Sequence, residues 1–84
     1  MVEWPEWSSW ELELSAHLLK RMTDRRFNEV ELRLMLEGAS GYGENCEPGR
    51  WVVATRHAGH PWEVIVEPVP QEKVLVVVTA YPVG

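Results

Sequence analysis

His17, Arg21 and Arg25 stand four residues apart in the run Ser15-Ala16-His17-Leu18-Leu19-Lys20-Arg21-Met22-Thr23-Asp24-Arg25. Four steps along an α-helix overshoot one full turn by about 40°, so the three side chains form a slowly drifting row bordered by Leu18 and Met22. An imidazole beside two guanidinium groups is equipment for phosphate chemistry. His17 would serve as the base for a 2′-hydroxyl, and Arg21 and Arg25 would clamp the crowded phosphate. A metal-independent ribonuclease also needs an acid for the leaving oxygen, for which Tyr81 is the first candidate and His57 the second. The candidate catalytic set is therefore His17, Arg21, Arg25 and Tyr81. The same spacing suits a solvated helix edge, with His17 held by a backbone carbonyl at a helix–sheet junction and Arg21 paired to Glu11 or Glu13.

Arg50 and Arg56 extend the candidate nucleic-acid contacts to Arg21, Arg25, Arg50 and Arg56. Trp51 and Trp62 lie close enough to the latter pair to stack exposed bases. Cross-strand packing accounts for the two indoles equally well. Cys46, His57 and His60 offer a thiolate and two imidazoles but lack a fourth ligand, and Gly59 and Pro61 already explain the local turn, so no metal is expected. Gly41-Tyr42-Gly43 is too short for a phosphate-cradling loop, and neither a Walker sequence nor a serine-nucleophile elbow occurs. No cofactor is expected.

The 84 residues suit a single small domain, 45% hydrophobic with five tryptophans, whose core must be limited. The net charge of −5 argues against general attraction to nucleic acid, yet the charge is unevenly spread. Residues 1–14 carry Glu3, Glu6, Glu11 and Glu13 and no cation, whereas residues 15–26 carry Lys20, Arg21, Arg25 and Arg26 against Asp24 alone. The lone Cys46 and the absence of a signal-like opening point to a cytoplasmic setting. The apolar run Val74–Val78 is far too short to cross a membrane.

Pro5 interrupts any early helix, so residues 1–9 read as an irregular acidic, tryptophan-rich leader and residues 10–84 as the domain. Trp10, Leu12 and Leu14 alternate with Glu11 and Glu13, the mark of a short edge strand. Ser15 can cap a helix running to about residue 26. Asn28 and Glu31 form a capping box for a second helix, 29–37, which Gly38 would end in a left-handed turn. Val30, Leu32, Leu34 and Leu36 also alternate as a strand would, but the capping box and the helix-favouring Leu, Met, Glu and Arg decide for helix. Gly38 to Gly49 reads as a mobile connector. Arg50–His57, Trp62–Glu67 and Lys73–Tyr81 then form an antiparallel meander. Alternation places Trp62, Val64 and Val66 on the helix side of the middle strand, and Val74, Val76, Val78 and Ala80 on the helix side of the last. The other face, with Glu63, Ile65, Glu67 and Tyr81, is half open and suits a partner.

The order of these parts resembles a widespread bacterial domain-of-unknown-function family. The parts are a Ser-x-His helix start, Arg21-Met22-x-x-Arg25, a second capped helix, a glycine loop, Gly-Arg-Trp, and a closing strand with Thr79-x-Tyr81. The resemblance covers about residues 12–82. It implies kinship with the RelE/ParE and BrnT toxin superfamily and its α+β fold, two N-terminal helices packed on a three- to four-stranded antiparallel sheet. It further implies RNA or gyrase as a target, under the control of an antitoxin partner. Trp4, Trp7 and Trp10 of the leader read as core filler or a homodimer contact rather than a ligand cage. The acidic charge and the short stretch after Tyr81 depart from those toxins, and they favour the alternative of a non-catalytic interaction module on the same scaffold.

Overall fold

The computed structural model describes residues 3–83; Met1 and Val2 of the leader and Gly84 of the domain lie outside them. A single 3₁₀ turn, Glu6–Ser9, precedes β1 (Glu11–Leu14), α1 (Ala16–Asp24), α2 (Glu29–Glu37), β2 (Gly41–Glu44), β3 (Trp51–His57), β4 (His60–Val69) and β5 (Val74–Pro82). The fold is α+β, with five strands in the order β1-β5-β4-β3-β2. β2 through β5 pair antiparallel, while β1 lies parallel to β5 and makes the sheet mixed. The expected three- to four-stranded meander is thus one or two strands short, and it lacks the parallel edge.

Local signals place both helices. Ser15 accepts from the Leu18 N–H at 3.0 Å. Asn28 and Glu31 close the capping box in both directions, at 2.9 and 3.1 Å. Within α2, Leu32 and Met35 are buried while Val30 and Leu34 face solvent. The alternation that imitated a strand is therefore a helix with two exposed aliphatic residues on its outer side. Two terminal details differ from expectation. α1 stops at Asp24, and Gly38 has φ −92°; the left-handed residue is Arg26, φ 56°, in the turn between the helices.

The connector after α2 contains strand β2, whose Tyr42 explains why. Its ring lies 5.2 Å from that of Trp4, 5.7 Å from Trp7 and 5.8 Å from Trp51, and its hydroxyl donates to the Glu3 carbonyl at 3.2 Å. The leader indoles thus dock on the body, and the aromatic cluster fixes a strand that glycines alone would not hold.

Leu18, Phe27, Leu32 and Met35 from the helical half pack on Val53, Trp62, Val64, Val66, Leu75, Val77 and Ala80 from the sheet. Thr55, buried on the same side, donates to the Met35 carbonyl and ties β3 to α2. The middle strand faces the helices as its alternation predicts. The last strand does not: Ile65 pairs with Thr79 and Val66 with Val77, leaving Val78 as the extra residue of a bulge. The bulge switches the alternation, so the helix side of β5 is Leu75, Val77 and Ala80, and Val74 and Val76 point the other way.

Candidate functional site

β1 covers the outer edge of β5 only as far as Val77. Beyond that point α1 takes over the edge. The Ser15 N–H donates to the Val77 carbonyl at 3.1 Å, and its hydroxyl donates to the Val78 carbonyl at 2.7 Å. One serine therefore starts the helix and satisfies the bulge. At the other end of α1, Arg25 follows the last helical residue and its Nη1 donates to the Ala80 carbonyl at 3.2 Å. An unpaired edge carbonyl in a part-buried place is costly, and Arg25 removes that cost.

This arrangement breaks up the predicted row. Arg25 is turned into the sheet edge. Arg21 pairs with Asp24 at 3.0 Å, not with Glu11 or Glu13. His17 is exposed on α1, with no hydrogen bond to its side chain among the described residues. A backbone carbonyl therefore does not hold it at the helix–sheet junction.

Tyr81 lies elsewhere. It pairs across strands with Glu63, on the sheet face away from both helices, so the sheet separates it from α1. Its hydroxyl donates to Glu63 Oε1 at 2.8 Å. That hydrogen bond, then burial, then the Glu63 charge hold its pKa above the ordinary 10.0. A phenol so placed is a poorer acid than usual.

The remaining candidates also separate. Arg50, just before β3, pairs with Glu67 at 3.0 Å, whereas Arg56 lies at the opposite end of β3 and donates to the Gly59 carbonyl at 2.8 Å. Trp51 packs with Trp7 and Tyr42. Trp62 is buried against Phe27 and His57 at ring distances of 5.4 and 5.2 Å. Neither indole is free to stack a base. Cys46 follows β2, while His57 and His60 face each other across the β3–β4 turn at the far end of β3.

What the fold does bring together is a different basic group. Arg26, Arg56 and His57 line a shallow groove with Glu31, Leu34, Met35 and Ala58, and His57 Nε2 lies 3.8 Å from Glu31 Oε2. The four-residue spacing of His17, Arg21 and Arg25 does not point to Arg26. The left-handed turn that brings it into the groove carries no glycine to announce it.

The helix-free face is the second feature. It presents Val52 and Ala54 on β3, Ile65 on β4, and Val74, Val76, Thr79 and Tyr81 on β5, bordered by Glu11 and Glu13, Glu63 and the Arg50–Glu67 pair. A sheet face left to water normally alternates to polar residues; β1 and most of β4 do so here with Glu11, Glu13, Glu63 and Glu67, whereas β3 and the start of β5 keep aliphatic residues. No helix covers Ile65, yet its side chain is only 6% exposed, shielded by neighbours on its own face.

Residues 14–82 match the family model described as Domain of unknown function (DUF4258), and the chain belongs to that family. No curated protein and no solved structure matches it. No helix among the described residues is long and apolar enough to cross a membrane.

Proposed function

We propose that this member of the DUF4258 family is a non-catalytic interaction module on a RelE/ParE-like scaffold, taking a protein partner on the helix-free face of its sheet. That face carries the reading: Val52 and Ala54 on β3 and Val74 and Val76 on β5 remain half-buried with no helix over them. Aliphatic residues left partly open among the charges of Glu63, Glu67 and Arg50 suit a surface that a partner completes. The partner is a polypeptide segment of the antitoxin kind, with aliphatic side chains for the strip and charges of both signs for its border. Kinship with the toxin superfamily is supported by the order of the His17–Arg21–Met22 helix, the second capped helix and the Thr79-x-Tyr81 strand, and by two helices on one side of the sheet. The single Cys46 suits a reducing cytoplasm.

A ribonuclease reading requires base, clamp and acid around one phosphate. His17 and Tyr81 lie on opposite sides of the sheet, and both arginines of the row are engaged, so the catalytic reading gives way. RNA binding without cleavage is the second reading, favoured by the convergence of Arg26, Arg56 and His57 in one groove.

Overproduction in cells, together with incubation of pure protein with RNA, tests the proposal. Harmless expression and intact RNA are expected. Growth arrest or cleavage that His17→Ala abolishes overturns it. In a second arm the chain is co-expressed with the product of its neighbouring reading frame. Co-purification that survives His17→Ala and is lost with Val76→Glu supports the sheet face as the docking surface. Self-association lost with the same variant would identify a second copy as the occupant. Complex formation indifferent to Val76→Glu removes the surface from consideration.

A further inference from the structure

On the helix side of the sheet, between the leader and the end of α2, lies a cleft of about 360 Å³. Trp4, Trp7 and Trp10 form its walls with Leu36 of α2, and its floor reaches the buried Val53 and Leu75. Interiors of small domains are close-packed, and this volume falls within the range of small-ligand sites. Its end at α2 favours positive charge. The C-terminal turn of α2 ends on it, and the dipole there favours cations. Glu37 lines it and has no ion-pair partner among the described residues. The leader beside it carries Glu3 and Glu6 and no basic side chain. Arg33, the one basic side chain of the lining, is directed to Glu29 at 3.3 Å.

Indole faces attract cations whose charge is spread over alkyl groups, and they do so better than other aromatic rings. We infer that the cleft is a binding site for a small organic cation with an apolar body, an alkylated ammonium compound. The apolar body fills the space over Val53 and Leu75, and the charged head meets the indoles, Glu37 and the helix end. A neutral molecule of the same shape gains the apolar walls and floor but not the contacts of the charged head. This site lies on the opposite side of the sheet from the proposed partner surface, so either can fail without the other.

The test uses ¹⁵N-labelled full-length protein titrated with choline and, separately, with its neutral isostere 3,3-dimethyl-1-butanol, following the indole N–H signals. Choline is expected to shift Trp4, Trp7 and Trp10 with a Kd of about 1 mM or tighter, leaving buried Trp62 unmoved. The alcohol is expected to bind at least about fivefold more weakly. Glu37 is exposed and outside the aromatic cluster, so Glu37→Gln keeps the fold and should weaken choline about threefold; Trp4→Ala, checked for an intact fold by its amide spectrum because its ring also packs on Tyr42, should weaken it about fivefold. No indole shift with choline overturns the inference, as does a neutral alcohol that binds as tightly as the cation.

Discussion

Both faces of the sheet carry valines, yet one is sealed and the other is not. On the helix side, Leu18, Leu32, Val64, Val66 and Val77 are fully buried. On the other side, Val74, Val76, Val78, Thr79 and Tyr81 remain half-buried. A valine therefore does not by itself announce the core face. The decision comes from where two capped helices can lie, and that depends on the edge carbonyls of β5 which Ser15 and Arg25 take up.

The difference is sharpest in stability. Leu18→Ala, which empties a sealed position, should cost about 2–5 kcal/mol, whereas Val76→Ala on the open face should cost about 1 kcal/mol or less. Denaturant unfolding of both variants measures this, and equal losses would erase the distinction between the faces. Next in size is Arg25→Ala, expected to cost about 1–2 kcal/mol because it strands the Ala80 carbonyl.

Tyr81 reports on the open face by titration. Its pKa is raised in the folded chain, so the stabilisation it brings is present in full below the ordinary value of 10.0. That stabilisation is lost as pH rises through the higher folded value. The ring resonances of Tyr81 should titrate above the ordinary tyrosine range in the wild type and return toward it in Glu63→Gln. The smallest effect belongs to Arg21→Ala. Its pairing with Asp24 is surface-exposed, and loss of stability should stay within about 0.5 kcal/mol. A large loss there would show that the row on α1 does more than the geometry allows.

What could be read from the sequence was local. Asn28 and Glu31 specify the start of α2 within four residues, and Ser15 does the same for α1. Trp62, Val64 and Val66 alternate with Glu63, Ile65 and Glu67, and the two glutamates reveal their face. The uniform run from Val74 to Val78 has no period, which hid both the bulge and the face of Val74 and Val76. β2 depends on rings from the leader, and the parallel pairing of β1 depends on residues at the far end of the chain. The candidate site suffered likewise. Helical spacing located His17, Arg21 and Arg25 on α1, but whether a guanidinium points to solvent or to an edge carbonyl is settled by tertiary contacts. The groove of Arg26, Arg56 and His57 joins two turns that share no pattern.

The hydroxyl of Ser15 that meets the Val78 carbonyl spans 63 positions of chain, and this bears on the time course of folding. The β3–β4–β5 meander closes over short loops, whereas the first strand and helix can be zipped on only after a long loop has been drawn in. The amino-terminal edge is therefore expected to dock after the rate-limiting step. Ser15→Ala should accelerate unfolding while leaving the refolding rate nearly unchanged in stopped-flow experiments.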